Sequence, residues 1–276
     1  MKKYIRRVSD AKLQMLLEST GAVLIEGPKW CGKTSSCEHF AKSIVYFQDP
    51  DNQNNYLKIS ENKPSLLLRG DVPRLIDEWQ TIPKIWDAVR FEVDKRGENG
   101  QFLLTGSAVP LDDVVMHSGT GRIARMRMHT MSLFESGESN GEVSLWELFN
   151  GKMDIEAVSN LTLEGIAAAI ARGGWPLAVS NPRGNVYQHA VNYVEAIINE
   201  DVSRVDGIEK NPQRVRKLLM SLARNISTLA TVQTIKSDVA SGDNDILLTE
   251  KAYDRNTALS TLRLIVKLGY RITKEE

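Results

Sequence analysis

The sequence predicts an α/β fold, a parallel sheet covered by helices, followed by a helical second domain. Short apolar runs alternate with segments of helical spacing in the first part of the chain, which is typical of a parallel sheet buried on both faces. The glycine-rich stretch GPKWCGKT, residues 27–34, follows the first of these runs. After a Ser-, Gly- and Glu-rich stretch near residues 136–145, the remaining segments are mostly helical in spacing. We therefore predict two domains, residues 1–140 and residues 141–276.

Strands and helices alternate along the first predicted domain. It begins with a helical segment, AKLQMLLEST, then the strand AVLI, the glycine-rich loop and a second helix, KTSSCEHFAK. The next strands are IVYF, RLID and QFLL, and a fifth candidate, RIARMRMHT, alternates apolar and basic residues as a half-buried strand does. Between the third and fourth strands, PKIWDAVRFEVDKR has the spacing of an amphipathic helix whose first turn suits Pro83. Strands joined through helices in this way are expected to run parallel.

The second domain is predicted from four helical segments, TLEGIAAAIARGG, VYQHAVNYVEAIINED, PQRVRKLLMSLARN and LATVQTIKSDVA. Their order after residue 210 resembles a winged-helix unit, in which a helix from residue 250 would take the recognition position. Five basic residues could hold DNA phosphates there: Lys210, Arg214, Arg216, Lys217 and Arg224. Because helical faces with several Lys and Arg are usually only solvated, we favour a structural or protein-contacting unit over a DNA-binding one.

Composition and charge exclude several classes of protein. Hydrophobic residues make up 42% and charged residues 25% of the 276 positions, and the formal net charge is zero. A neutral chain has no global field that attracts nucleic acid or acidic membranes, so such binding needs a local patch. The apolar runs are far shorter than a membrane span, and the basic N-terminus lacks the apolar segment of a secretory signal. Cys31 and Cys37 form neither a disulfide framework nor a zinc spacing, so we expect a protein of the reducing cytoplasm. From the short apolar runs we expect no membrane contact.

The stretch GPKWCGKT fits the pattern G-x-x-x-x-G-K-[ST] of a phosphate-binding loop. It lies between a predicted strand and a predicted helix, so backbone N–H groups and the positive end of the helix can face an anion. Lys33 can then contact the β- and γ-phosphates of a nucleotide, and the Thr34 hydroxyl can ligate Mg²⁺. The residues predicted to bind the nucleotide are Gly27, Pro28, Lys29, Trp30, Cys31, Gly32, Lys33, Thr34 and Ser35. The alternative is a relic loop that serves only the fold.

Two acidic residues, Asp77 and Glu78, end the third predicted strand in the stretch LIDE. An aspartate at this end of a neighbouring strand can hold Mg²⁺ through water, and the glutamate after it can activate the attacking water. Because an Asp-Glu pair after apolar residues is common, the alternative is a strand that simply continues into solvent. The position, one strand beyond the strand of the phosphate loop, favours the functional interpretation. We predict Asp77 and Thr34 as metal ligands and Glu78 as the general base.

Three further polar residues are candidates for the same site. Thr105 and Ser107 follow the fourth predicted strand, where a hydroxyl could sense the γ-phosphate or the attacking water, and the choice between them stays open. The alternative is a turn held by hydroxyl-to-backbone hydrogen bonds. Arg122 could place positive charge on a transferring phosphoryl group, in its own site or in a neighbour's. For Arg122 the alternative is a basic strand face that meets solvent or a carboxylate.

Together these stretches resemble an AAA-type P-loop ATPase group of bacteria and archaea, in which the ATPase core precedes a domain of unknown function related to nuclease-like folds. The matching stretches, over most of residues 20–205, are AVLIEGPKWCGKTSS, PRLIDEWQTIPKIWDAVR, FLLTGSA, GTGRIARMRMHTMSLFE, ARGGWPLAV and NYVEAIINEDVSRV. The resemblance implies a P-loop NTPase fold with a five-stranded parallel sheet in the order 5-1-4-3-2. It also implies Walker A roles for Lys33 and Thr34 and Walker B roles for Asp77 and Glu78. By the same matching, GSA holds the sensor position and Arg122 is the arginine of a GR motif.

The C-terminus departs from that group. Similar proteins continue into the nuclease-like domain, whereas this sequence ends at Glu276. Its last stretch, AYDRNTALSTLRLIVKLGYRITKEE, does not match their continuation. We therefore expect a truncated or altered C-terminus that carries little or none of that last domain.

We predict an Mg²⁺-dependent ATP-binding protein that hydrolyses ATP and couples its nucleotide state to the C-terminal helical domain. The alternative is a nucleotide-gated switch or a DNA-associated regulatory module with little hydrolysis. A P-loop kinase is disfavoured because Glu78 next to Asp77 suits the activation of water. A GTPase is disfavoured because NKPS, residues 62–65, lacks the aspartate of a guanine-specific N-K-x-D motif and precedes the Asp-Glu pair. Self-association is expected if Arg122 acts across subunits, and a protein partner is the other candidate.

Overall fold

The computed structural model describes residues 4–106, 119–181, 185–201, 211–226 and 228–240. Within these residues five strands form one sheet: β1 (Ala22–Glu26), β2 (Ser43–Tyr46), β3 (Arg74–Asp77), β4 (Phe102–Gly106) and β5 (Ile123–Arg127). All neighbouring strands pair in parallel, in the order β2-β3-β4-β1-β5. Counted from the other edge this is the order 5-1-4-3-2, so the parallel α/β fold and the strand order are both confirmed.

Helices connect the strands of the sheet. They are α1 (Ser9–Ser19) before β1, α2 (Lys33–Phe40) after the glycine-rich loop, α3 (Gln53–Asn62) after β2 and α4 (Lys84–Arg96) before β4. Two 3₁₀ turns, Pro64–Leu66 and Trp79–Thr81, lie before and after β3. Helix α4 begins directly after Pro83, which the sequence predicted in the first turn, and is followed by Gly97, whose φ of 66° is typical of a helix terminus.

The sheet is buried on both faces because successive side chains of its central strands enter different clusters. Ala22 and Leu24 of β1 pack in the cluster that includes α4, whereas Val23 and Ile25 pack in the cluster that includes α1. The predicted apolar face of the α4 segment is buried: Ile82, Trp86, Val89 and Val93. This two-sided burial explains why the strands read as continuous apolar runs rather than as alternating ones.

The chain after β5 is helical in the part that the structure describes. Its helices are α5 (Leu145–Phe149), α6 (Leu163–Arg172), α7 (Pro176–Ser180), α8 (Val186–Ala196), a π-helical turn (Ile197–Asp201), α9 (Pro212–Arg224) and α10 (Val232–Ala240). This agrees with the prediction of a helical second half. None of the described helices is long and apolar enough to cross a membrane.

By its internal contacts the chain divides into two compact units, Met1–Tyr187 and Gln188–Glu276. The change in composition near residue 140 falls inside the first unit. A hydrogen bond from the Met131 N–H to the Gly174 carbonyl, at 2.7 Å, joins residues on the two sides of that change. The division into residues 1–140 and 141–276 therefore stays a prediction from composition.

In the described part of the second unit, Arg216 and Arg224, which were considered for DNA binding, pair with carboxylates. Arg216 contacts Glu195 at 2.7 Å, and Arg224 contacts Asp238 at 2.9 Å. These pairs reduce the positive charge that the helical face can offer to phosphates. Lys210 and the predicted recognition helix from residue 250 lie outside the described residues.

Candidate functional site

The predicted phosphate-binding loop connects the end of β1 to the start of α2. Two glycines are required by its backbone. Gly27 has a φ of 157°, and a Cβ atom there would lie 2.2 Å from the Met128 carbonyl oxygen. Gly32, with a φ of 100°, precedes the first residue of α2. Trp30 also has left-handed backbone, with a φ of 63°, which is uncommon for a bulky side chain and typical of ligand-binding segments.

Lys33 is the first residue of α2, and its side chain folds back over the loop. Its Nζ donates to the carbonyl oxygens of Gly27 and Pro28, at 2.9 Å each. The residue is only 6% exposed, so its charge depends on these acceptors. The ammonium group is therefore already at the loop, and the same hydrogens could be donated to phosphate oxygens.

Asp77, the last residue of β3, joins two other residues of the predicted site. Its Oδ1 accepts hydrogen bonds from Thr34 Oγ1 at 2.8 Å and from Thr105 Oγ1 at 2.5 Å. Asp77 is 9% exposed and Thr105 is fully buried. Helix α2 and the adjacent strands β3 and β4 thus bring together a threonine of the loop, an acidic residue and a threonine of the sensor stretch. Ser107, the other sensor candidate, lies outside the described residues.

Glu78 follows Asp77 with a left-handed backbone, φ 55°. A non-glycine residue in this region costs on the order of 1–3 kcal/mol and occurs most often at functional sites, where the surrounding contacts enforce it. The Glu78 N–H donates to Thr105 Oγ1 at 3.3 Å, so one hydroxyl connects Asp77 to the main chain of Glu78. The carboxylate oxygen Oε2 accepts a hydrogen bond from Gln80 Nε2. Both the backbone and the side chain of Glu78 are therefore held in place.

Arg122 lies at the opposite edge of the sheet from the loop. It precedes Ile123, which pairs with Ala22 at the start of β1, whereas the loop follows Glu26 at the end of β1. Four residue steps of about 3.3 Å separate these two ends. The Arg122 guanidinium donates to Asp94 Oδ1 at 2.8 Å. This position disfavours action of Arg122 in its own site, and its observed contact is with a carboxylate, so its role stays a prediction.

Arg7 and Trp175, which belong to none of the predicted site motifs, bind main-chain carbonyls of the loop. Arg7 Nη1 donates to the Cys31 carbonyl at 2.8 Å, and Trp175 Nε1 donates to the Lys29 carbonyl at 3.4 Å. These bonds fix two peptide units of the loop from segments that are distant in sequence. Trp175 lies in the stretch ARGGWPLAV, which is part of the family resemblance and was therefore a signal in the sequence. For Arg7 there was none, because no residue pattern distinguishes it from its basic neighbours.

The Arg7 guanidinium is itself held by Glu135. Arg7 Nε lies 2.8 Å from Glu135 Oε1, and the two side chains are 5% and 7% exposed. Glu135 also accepts hydrogen bonds from the Val8 and Ser132 N–H groups. Burial alone would raise the pKa of Glu135, but these N–H donors and Arg7 lower the pKa below its usual value. The N-terminal segment, the loop and the segment after β5 are thereby joined through one buried ion pair.

The two cysteines near the loop are structural in this environment. Both are free and buried, and burial raises the pKa of both thiols even though Lys33 lies nearby. A thiol that stays protonated is a weak nucleophile. Cys31 therefore contributes its backbone and its volume to the loop rather than a reactive sulfur.

Two family models match the chain. The first, described as an AAA domain, matches residues 19–136, and the second, described as a domain of unknown function, matches residues 163–269. The first match contains all five strands, the phosphate-binding loop, Asp77, Glu78 and Thr105.

Related sequences and a solved structure extend these matches. Uncharacterized proteins of Mycobacterium tuberculosis and Mycobacterium bovis are each 30% identical to the chain over 144 residues, which is 51% of this chain and 32% of the relative. The aligned region therefore spans about a third of the length of these curated relatives. A Walker-type ATPase of Pyrococcus abyssi has a similar fold, with a TM-score of 0.53 and 14% identity over 99% of this chain and 92% of that chain. At this level of identity the similarity concerns the fold.

Proposed function

We propose that the protein binds ATP with Mg²⁺ and hydrolyses it, because residues 19–136 match the family model of an AAA domain and contain the phosphate-binding loop. In this proposal the loop, residues 27–35, binds the phosphates with Lys33. Thr34 and Asp77 hold the metal, and Glu78 is the general base. Thr105, in contact with Asp77, is the sensor.

The observation that carries the proposal is the convergence of two hydroxyls on one oxygen of Asp77. Thr34 Oγ1 and Thr105 Oγ1 lie 2.8 Å and 2.5 Å from Asp77 Oδ1. Thr34 belongs to the phosphate loop, and Thr105 also accepts the Glu78 N–H. The loop is thus linked through hydrogen bonds to the residue proposed to activate water.

The residues present fit a magnesium ion. Mg²⁺ prefers oxygen ligands and is usually held at nucleotide sites by one or two carboxylates, phosphate oxygens and waters. Thr34 Oγ1 and Asp77 Oδ1 are such donors and lie 2.8 Å apart. When bound, Mg²⁺ neutralises charge on the β- and γ-phosphates. Thr34 and Asp77 are the residues that would hold it.

Hydrolysis requires a base that takes a proton from water. Glu78 accepts this proton while the water oxygen bonds to the γ-phosphorus. The bond from the γ-phosphorus to the bridging oxygen breaks, and its electron pair leaves with ADP. Lys33 exchanges the carbonyls of Gly27 and Pro28 for phosphate oxygens and stabilises their charge.

We propose that the nucleotide state reaches the C-terminal helices through the segment around Trp175. Trp175 binds the Lys29 carbonyl of the loop, and the next residue, Pro176, begins α7. Just before it, Gly174 is so close to Met131 that a Cβ atom would lie 2.2 Å from the Met131 carbonyl oxygen. A shift of the loop would therefore be transmitted to the start of α7 rather than absorbed by slack in the chain.

The proposal places the protein in a reducing cytoplasm, which the two free and buried cysteines support. For Arg122 we favour action on the site of a second copy, so the proposed partners are ATP, ADP and another copy of the chain. DNA is left as an outcome of the test below.

Phosphate release from ATP tests the proposal. The wild type, Glu78→Gln and Lys33→Ala are compared with Mg²⁺ or EDTA, and with or without duplex DNA. We expect Mg²⁺-dependent release by the wild type and a loss of about 100-fold or more in Glu78→Gln, whose ATP affinity should persist. Lys33→Ala should lose ATP affinity. Glu61→Gln, the same change on the exposed face of α3, is the matched control and should behave as the wild type.

Other outcomes identify the alternatives. A wild type that binds ATP but releases no more phosphate than Glu78→Gln is a nucleotide-gated switch. Transfer of the γ-phosphoryl group to an added acceptor without free phosphate identifies a kinase. Stimulation by DNA would assign the DNA-associated role.

A further inference from the structure

Gln80 lies in the short 3₁₀ turn Trp79–Thr81, directly after Glu78, and belongs to none of the residues proposed above. Its side-chain amide nitrogen, Nε2, donates to Glu78 Oε2. A carboxylate can only accept hydrogen bonds, so this contact fixes the orientation of the amide. The nitrogen of Gln80 is therefore the atom that contacts Glu78, and the oxygen is the other arm of the same planar amide.

The amide oxygen of Gln80 is buried and, among the described residues, accepts no hydrogen bond. It lies beside Gly106, the last residue of β4, where a Cβ atom would be 2.6 Å from Gln80 Oε1. Gly106 directly follows Thr105, whose hydroxyl contacts both Asp77 and the Glu78 main chain. The oxygen is thus at the carboxyl edge of the sheet, in the site already described. Buried acceptors without a partner are uncommon, and a catalytic role or a bound water is among the explanations for them.

A water beside Glu78 needs two acceptors to be oriented for attack. One of its hydrogens is donated to the base, and a second acceptor must take the other hydrogen so that an oxygen lone pair faces the phosphorus. Gln80 can supply this second acceptor with Oε1 while Nε2 holds the Glu78 carboxylate. A side-chain amide is suited to this task because it carries a donor and an acceptor on one rigid group.

We propose that Gln80 is a catalytic residue that orients the attacking water, an inference that rests on the proposed ATPase function. Gln80 Oε1 accepts one hydrogen of the water, and Glu78 takes the other as a proton. The water oxygen bonds to the γ-phosphorus, the bond to the bridging oxygen breaks, and ADP leaves with the electron pair. Gln80 itself gains and loses no proton.

The test compares Gln80→Met with the wild type in steady-state ATP hydrolysis. Methionine is similar in length and has no amide, so both hydrogen bonds are lost. We expect kcat to fall by about 10- to 100-fold, because a misplaced reactant typically costs that much. The KM for ATP and the directly measured ATP affinity should stay within about twofold, as for an interaction made only in the transition state.

Gln101→Met is the matched control. Gln101 is a buried glutamine that precedes β4 at the opposite edge of the sheet, and its Oε1 accepts from Arg96 Nη1 at 3.0 Å. This variant measures what the loss of a buried amide does to stability, and its kcat should match that of the wild type at temperatures well below unfolding. Gln80→Glu keeps the shape of the side chain and replaces the donor with a second carboxylate oxygen. It should lose kcat by a similar factor, so the conclusion does not depend on how Gln80→Met folds.

A double-mutant cycle separates an action on water from a general structural role. In the Glu78→Gln background, Gln80→Met should cost no more than about threefold further, because residues that act as a unit are not additive. An equal loss in both backgrounds would show that Gln80 acts independently of Glu78 and would overturn the inference. A kcat of Gln80→Met equal to that of Gln101→Met would also overturn it while the ATPase proposal stands. Absence of hydrolysis in the wild type would remove both.

Discussion

The carboxylate of Asp77 is almost fully buried, and one of its oxygens accepts two hydroxyl hydrogen bonds. A buried carboxylate is stable only with such partners. One partner comes from the phosphate loop, and the other also binds the main chain of Glu78. At the scale of single residues, Asp77 is therefore the group through which a change at the loop would reach the proposed base.

Asp77→Asn tests this role. An amide has nearly the same size but no negative charge, so it is a poorer partner for Mg²⁺. We expect the affinity for ATP in the presence of Mg²⁺ to fall by about 10- to 100-fold, the usual range for residues that hold or orient a metal. Affinity in EDTA should change by no more than about twofold. Titration calorimetry measures both, with the exposed Asp51→Asn as control. Equal losses with and without Mg²⁺ would contradict a metal-binding role.

The residues of the site show how much of it could be predicted from the sequence. Lys33, Thr34, Asp77 and Glu78 follow short apolar runs in recognisable motifs, and the structure brings these four residues together. Gln80 lies in the matched stretch PRLIDEWQTIPKIWDAVR but was given no role, because its role depends on which group its side-chain amide contacts and on the close approach of Gly106. Such contacts arise only once β3 and β4 are adjacent.

At the scale of elements, the phosphate loop is held from outside by the segments before α1 and after β5. Arg7 connects the Cys31 carbonyl, the His129 carbonyl and Glu135, with three hydrogen bonds of 2.8 Å. Because both members of the Arg7–Glu135 pair are nearly buried, removal of one leaves a charge without its partner. The loop therefore depends on an N-terminal segment that no phosphate-binding pattern includes.

Arg7→Met should destabilise the protein strongly. We expect a loss of about 3–5 kcal/mol in the free energy of unfolding, because Glu135 would stay buried without its cation. The neighbouring Arg6 is exposed, and Arg6→Met should change the same quantity by less than about 0.5 kcal/mol. Urea unfolding of the two variants makes the comparison. Similar values for both would show that the ion pair contributes little.

Glu135 also predicts a dependence of stability on pH. Its folded-state pKa is lower than its ordinary value of 4.5, so the ion pair stabilises the fold fully above that value. This stabilisation is lost as the pH falls through the lower folded-state pKa. The free energy of unfolding of the wild type should therefore decrease more steeply below pH 4.5 than that of Glu135→Gln. Urea unfolding at a series of acidic pH values measures both slopes, and parallel curves would contradict the expectation.

The elements themselves were predictable to different degrees. The five strands and the helix after Pro83 could be placed from apolar runs and turn residues, but the strand order came from the family resemblance. No local pattern states which strand pairs with which. Helix α3 was not predicted because it contributes only Tyr56 and Ile59 to the core, too few apolar positions for a clear period.

At the scale of the whole molecule, Arg122 marks the edge of the sheet opposite the phosphate loop. Its position just before β5 is at the far end of β1 from the loop, which favours action on the site of a second copy over action in its own site. If Arg122 acts there, Arg122→Ala should hydrolyse ATP at least about tenfold more slowly than the wild type.

A mixture of two impaired variants tests this action across copies. Lys33→Ala retains Arg122, and Arg122→Ala retains a complete phosphate loop, so their mixture should regain part of the wild-type rate. A protein in which each copy acts alone would show only the sum of the two separate rates. If Arg122→Ala alone hydrolyses ATP at the wild-type rate, Arg122 has no role in hydrolysis and serves only its ion pair with Asp94.

The central claim is that Glu78 activates water at a loop that binds ATP. Single-turnover cleavage of γ-labelled ATP, with protein in excess over nucleotide and Mg²⁺ present, tests it most directly because product release does not contribute. We expect complete conversion to ADP and phosphate by the wild type. In Glu78→Gln, ATP should be bound with similar affinity and cleaved at least about 100-fold more slowly. Equal cleavage rates for the two proteins, or bound ATP that neither of them cleaves, would contradict the claim.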